Sequence, residues 1–263
     1  MTVSERPVAL VTGSRTGIGR YVAEQLVAAG YHVVGCSRQP ADWALEGYSH
    51  FEADVADEAQ VKALLTSIRR KHKRLDVTFN NAGVASMNHS LLMPAATLDR
   101  IMNINVRGTF LVSRESAKLM RQRKWGRIVN LSTVAVPLSL EGEAAYVASK
   151  SAVEGLTRVM SRELVDLGIT VNAIGPGPIE TDLIRSVPKA AMQSLLSRLP
   201  IHSMGTPEDV FHVLPEHPQK QHVPNQVNPS RVQKHVRDEI DEVEMIGPQA
   251  VQLQEIILRV AVE

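Results

Sequence analysis

Tyr146 and Lys150 stand four residues apart in Tyr146-Val-Ala-Ser-Lys150, a spacing that places a phenol and an ammonium on one helix face. A cation beside a phenol favours the phenolate and lowers the tyrosine pKa. The pair is therefore suited to exchange a proton with a carbonyl or alcohol oxygen. A second pattern, Thr12-Gly-Ser-Arg-Thr-Gly-Ile-Gly19, lies between an apolar run and a helical one. Its glycines allow a tight turn and let backbone N–H groups approach a pyrophosphate at a helix N-terminus. Taken singly, each pattern also occurs as an ordinary turn or a solvated surface pair. Their order along the chain is what gives them weight.

The elements that must position these groups alternate between β and α. Residues 8–11 form a continuous apolar run bounded by Gly13, the pattern of a strand buried on both faces. Further strands are expected at 32–36, 49–52, 75–79, 127–131 and 170–174. Helical spacing spans 18–29, stopping at Gly30, then 57–72 with Asp57 as cap, 97–123 and 143–166. Repeated β-α steps imply an α/β fold, a doubly wound parallel sheet with right-handed crossovers.

Composition narrows the class. The 263 residues are 44% hydrophobic and 22% charged, enough for a full core, which excludes disorder throughout. A net charge of +1 argues against nucleic acid as a partner. The lone Cys36 excludes a disulfide framework, and no run reaches the ~18 apolar residues of a membrane span. Residues 1–7 are polar and lead straight into a strand, so no signal peptide is expected and the location expected is cytoplasmic.

The Gly-x-x-x-Gly-x-Gly loop, Asp54-Val55, Asn80-Asn-Ala-Gly83 and Tyr146-x-x-x-Lys150 together resemble the short-chain dehydrogenase/reductase family. The resemblance implies a Rossmann-like sheet and hydride transfer between a nicotinamide and a carbonyl or secondary alcohol, with Tyr146 as acid/base. It assigns the cofactor to Gly13, Arg15, Thr16, Gly17, Ile18 and Gly19, to Asp54 and Val55 beside the adenine, and to Asn81, Ala82 and Gly83. Tyr146 and Lys150 also face it. In Pro176-Gly-Pro-Ile-Glu-Thr181 it identifies a loop closing on the nicotinamide, at Pro176, Gly177, Ile179 and Thr181.

The family's catalytic hydroxyl stands 13 residues before the tyrosine, normally as the second of two serines; here the pair is Ser132-Thr133. Thr133 is therefore the expected catalytic hydroxyl and Ser132 the reserve. Threonine keeps the donor and acceptors but adds a methyl and a stiffer χ1. Asn105 matches the fourth catalytic member, which in the family helps hold a water between the lysine and bulk solvent. At the end of Val33-Val-Gly-Cys-Ser-Arg38, an acid would bind ribose hydroxyls and a cation a 2′-phosphate. Ser37 takes the acid's place, Arg38 follows, and Arg15 adds a second cation, so NADP(H) is expected over NAD(H). No metal site is expected.

The 179–182 run looks closest to 3-oxoacyl-carrier-protein reductases and related sugar or polyol dehydrogenases. A small carbonyl or alcohol, free or as a carrier-bound acyl group, is thus the expected substrate. The likeness covers Pro7 to about Val210, so 1–210 is expected as the catalytic domain and 211–263 as an atypical tail. The tail lacks the family's final Phe-Leu-rich helix and Asp-Gly-Gly strand, by frameshift or natural divergence. Its prolines predict a linker, with helices near 230–245 and 248–262. His212, His217 and His222 read as part of that linker rather than as metal ligands. A missing seventh strand leaves strand six at the sheet edge and bears on homo-oligomer formation. It also raises a second reading, a catalytically impaired dinucleotide-binding fragment.

Overall fold

Val8–Thr12 (β1) is buried along its whole length, and its side chains alternate between two apolar clusters. Val8 and Leu10 join Val61, Leu64 and Met160 on one side of the sheet, while Ala9 and Val11 join Val22, Leu26 and Val210 on the other. That division is why the run is apolar without interruption. The computed structural model describes residues 6–214 except 182, 183, 185, 186, 188 and 200. Of the linker expected from residue 211, Phe211 and His212 instead end a helix; its remainder beyond Leu214, the tail helices and the missing strand lie outside the described residues.

After β1 come α1 (Gly17–Ala28), β2 (His32–Ser37), β3 (Tyr48–Glu52), α2 (Glu58–His72) and β4 (Val77–Asn80). Then follow α3 (Ala95–Met102), a π-helical turn (Asn103–Gly108) and α4 (Thr109–Met120). β5 (Gly126–Leu131), α5 (Ala135–Leu138), α6 (Ala144–Leu164), β6 (Ile169–Ile174), α7 (Lys189–Ser197) and α8 (Pro207–His212) complete the order. The six strands are parallel in the order β3-β2-β1-β4-β5-β6. This is the doubly wound architecture expected. Among the described residues β6 is an edge strand, yet Ile169, Val171 and Ala173 are buried.

Local chemistry sets the helix ends. The Asp57 carboxylate accepts from the backbone N–H groups of Ala59 and Gln60 at 2.8 and 3.1 Å, and Gly30 ends α1 at φ +90. Thr206 and Asp209 form a capping box with Pro207 in the first turn of α8. That helix runs through position 210, where the sequence suggested a boundary. Inside, the Asn80 amide donates to Ser113 Oγ and Asn130 Oδ1, both at 2.8 Å, and the Asn130 amide donates to Thr157 Oγ1 at 2.9 Å. This buried brace fixes α4 and α6 against β4 and β5.

Candidate active site

The strand order reverses between β1 and β4, and at their carboxyl ends lies the crevice in which open parallel sheets bind ligands. Thr12 Oγ1 accepts from the backbone N–H groups of Asn81 and Ala82 at 3.1 and 3.0 Å. The Asn81 amide donates back to the carbonyls of Thr12 and Gly13 at 3.0 and 3.2 Å. This tie leaves no room for a side chain at Gly13 or Gly19: a Cβ on Gly19 would sit 2.3 Å from the Gly13 carbonyl oxygen, and one on Gly13 2.7 Å from Asn81 Nδ2. Gly13 and Gly17 also adopt φ of +68 and +57, conformations that glycine alone takes readily. Thr16 puts no side-chain bond on the first N–H groups of α1, whose first turn holds no acid. The helix start is thus open to an anion.

From this floor rises a cleft of about 420 Å³. The glycine loop contributes Gly13, Arg15, Thr16, Gly17 and Ile18, and the end of β2 contributes Ser37 and Arg38. Asp54 and Val55 follow β3, and Asn81, Ala82 and Gly83 follow β4. Tyr146, Lys150 and Thr181 close the far end. A glycine cradle, an uncapped helix start and two guanidinium groups fit a dinucleotide.

A second cleft, of about 510 Å³, opens beside the first and shares Ile18, Leu131, Tyr146 and Thr181 with it. Tyr146 therefore stands at the junction. Ser132, Thr133, Pro176, Gly177 and Ile179 face this second cleft rather than the first, and Gly19 is buried at the base of the glycine loop. The structure thus brings most of the expected residues to one crevice but divides them between two chambers.

Burial pushes the Tyr146 phenol up, the Glu143 charge adds to that, and a hydrogen bond with Thr133 opposes both. This corrects the expectation that Lys150 lowers the phenol. Lys150 Nζ donates to the Leu131 carbonyl at 2.6 Å and stands 5.7 Å from the Tyr146 ring centroid, so burial and Glu143 prevail. Burial likewise pulls the Lys150 ammonium down to about 8. Ser132 Oγ donates to Glu154 Oε1 at 2.6 Å, whereas Thr133 Oγ1 accepts from the Ala135 N–H at 3.2 Å and lies beside Tyr146.

Asn105 is fully buried in the π-helical turn between α3 and α4, a distortion common at functional sites. Its amide donates to the Val84 carbonyl and Ser149 Oγ and its carbonyl accepts from the Val84 N–H, each at 2.9 Å. Ser149 Oγ in turn donates to the Tyr146 carbonyl at 2.7 Å. The sequence suggested one unbroken helix here; the wide turn is what aims Asn105 at α6 and the loop after β4.

Other wall residues escaped the sequence reading. Cys36, Val84, Ile104 and Leu131 line the first cleft, and Met87, Glu143 and Arg198 the second. Adjacency to Ser37, Gly83, Asn105 and Ser132 was the only signal for Cys36, Val84, Ile104 and Leu131; Met87, Glu143 and Arg198 carry none. Burial pushes the Cys36 thiol up to about 12, so it stays protonated at neutral pH. No group of side chains suited to a metal occurs among the described residues, and no described helix is long and apolar enough to cross a membrane.

Comparisons with known proteins agree with this geometry. The short chain dehydrogenase profile matches residues 7–191. The 3-oxoacyl-(acyl-carrier-protein) reductase FabG of Staphylococcus aureus strain N315 is 36% identical over 217 residues, 78% of this chain and 88% of that protein. FabG of Aquifex aeolicus strain VF5 is 32% identical over 79% of this chain and 88% of its own. The ligand-free aldohexose dehydrogenase (AldT) of Thermoplasma acidophilum superimposes at TM-score 0.73 with 31% identity, covering 79% of this chain and 84% of that one. The chain belongs to the short-chain dehydrogenase family. It is accordingly an NAD(P)-dependent oxidoreductase acting on CH–OH groups.

Proposed function

We propose that this chain is an NADP-dependent enzyme that interconverts a carbonyl and a secondary alcohol, with Tyr146 as the acid/base. The observation that supports this best is the position of Tyr146 between two clefts, one with a glycine floor and two guanidinium groups, the other lined largely by apolar side chains. When bound, the nicotinamide supplies or accepts the hydride. The glycine loop and the start of α1 hold the pyrophosphate. Arg15 and Arg38 hold the 2′-phosphate; neither guanidinium has an ion-pair partner among the described residues. Lys150 donates to the cofactor from the cleft wall.

In reduction the neutral Tyr146 phenol gives its proton to the carbonyl oxygen, and the Thr133 hydroxyl steadies that oxygen. Ser132 is the weaker candidate because its proton is already given to Glu154. Asn105 acts by holding α6 through Ser149. The relatives' names span carrier-bound 3-oxoacyl groups and aldohexoses, and we place the substrate of this chain within that range of small carbonyls and alcohols. Fluorescence titration with NADPH and NADH, followed by a panel of 3-oxoacyl thioesters, aldoses and polyols, tests the reading. NADPH should bind more tightly and one class should turn over. Tighter NADH binding overturns the cofactor assignment, and binding without turnover points to the impaired-fragment reading.

A further inference from the structure

Behind the segments that carry Arg15 and Arg38 lies a set of polar and aromatic side chains of which only Ser37 lines a cleft. Ser14 Oγ is 2.9 Å from Tyr48 Oη, which is 2.7 Å from His50 Nδ1. His50 Nε2 is 3.0 Å from both Ser37 Oγ and the Gln39 carbonyl oxygen. A carbonyl only accepts, so Nε2 carries the proton; in the neutral imidazole Nδ1 then accepts from the Tyr48 hydroxyl, and Ser14 donates to Tyr48. The Ser37 hydroxyl donates onward to the Gln39 carbonyl at 2.6 Å. The donors run in one direction, from the glycine loop to the turn after β2.

Gly35 makes this crossing possible, since a Cβ there would sit 2.0 Å from Tyr48 Oη and 2.3 Å from Ser14 Oγ. Trp43 stacks on the Tyr48 ring with centroids 4.1 Å apart, and its indole N–H donates to the Arg15 carbonyl at 3.2 Å. One cluster thus grips the backbone of Arg15 on one side and the turn around Arg38 on the other.

We propose that Trp43, Tyr48 and His50 are positioning residues that hold Arg15 and Arg38 in place for the 2′-phosphate of NADP(H). The inference rests on the NADP reading above. Two cations on separate loops would otherwise lose freedom on closing around a phosphate, and fixing both backbones beforehand removes part of that cost. A cofactor lacking the phosphate does not engage the guanidinium groups in this way, so the cluster acts on cofactor choice rather than on dinucleotide binding in general.

The test measures dissociation constants for NADPH and NADH on the full chain by fluorescence titration. Tyr48→Phe keeps the ring and cuts the relay; Trp43→Phe keeps a stacking ring and frees the Arg15 carbonyl. Each should weaken NADPH by about three- to tenfold, the size of one or two lost hydrogen bonds, with NADH within about twofold. His50→Leu should do the same, and His50→Gln should recover most of the loss because its amide again donates to Ser37 and Gln39. Should His50→Leu not fold, Tyr48→Phe decides alone. Equal weakening of both cofactors, or NADPH binding untouched in every variant, overturns the inference while the wild-type preference for NADPH stands. A wild type that binds NADH more tightly overturns the NADP reading itself, and this inference with it.

Discussion

The two clefts that meet at Tyr146 are built in opposite ways. The first cleft, proposed to hold the cofactor, is framed by backbone at the ends of β1, β2, β3 and β4, tied by the Thr12–Asn81 bonds and closed up by Gly13 and Gly19. The second cleft is framed by side chains from separate loops and α7, such as Met87, Thr133, Glu143 and Leu195. A pyrophosphate is bound by N–H groups, so its site must be made of glycines at fixed spacing. A substrate is bound by side chains, and those are free to differ. The contrast implies that changes on one side of Tyr146 should move cofactor affinity and changes on the other should move turnover.

Tyr146→Phe gives the largest expected effect. It should lower kcat by about 10²–10⁴-fold, the usual share of a general acid or base, while NADPH affinity changes by no more than a few-fold. Loss of cofactor binding on the same scale would break the separation of the chambers. Thr133→Ala should cost about a hundredfold in kcat, as removal of other oxyanion donors does. Ser132→Ala should cost far less, because its proton is directed to Glu154. The reverse ranking would transfer the role to Ser132.

How legible each region was in the sequence follows the same division. The strands and the helix caps at Asp57 and Gly30 could be placed because burial on both faces and capping chemistry leave local patterns. The conformation of the glycine loop was readable because its close approaches and positive φ angles demand glycine. The π-helical turn at Asn103–Gly108 was not: its sequence is helical throughout, and only the packing of Asn105 onto Val84 and Ser149 creates the wider turn. Nor was the direction of the Tyr146 shift. Helix spacing puts Lys150 near the phenol, but the Leu131 carbonyl that claims its ammonium comes from β5, distant in sequence. Met87 and Arg198 reach the second cleft through loops, and no spacing rule marks them.

Arg38→Asp sharpens the comparison from the cofactor side. A carboxylate there repels the 2′-phosphate and can accept from a ribose hydroxyl. NADPH affinity should fall by about tenfold or more, the worth of a charged hydrogen bond, and NADH affinity should rise. With saturating cofactor kcat should be retained, since Arg38 does not line the second cleft. A drop in kcat as large as that of Thr133→Ala would mean that the chambers are coupled through more than Tyr146.

The smallest expected effect is the most specific. Glu143 lines the second cleft three residues before Tyr146, burial pushes its own carboxyl up, and its charge pushes the Tyr146 phenol up. On the proposed mechanism Tyr146 is the protonated acid in reduction, so activity should be lost as pH rises through the pKa of the phenol. Glu143→Gln removes the negative charge that disfavours the phenolate, so the phenol gives up its proton at lower pH. The alkaline limb of the reduction profile should therefore move to lower pH. In the oxidative direction, where the phenolate is the base, the rising limb should move the same way. NADPH affinity should stay as it is, because Glu143 does not line the cofactor cleft. An unmoved alkaline limb would mean that Glu143 does not set the phenol's proton affinity, and that the side-chain-built cleft supplies shape to the reaction but no charge.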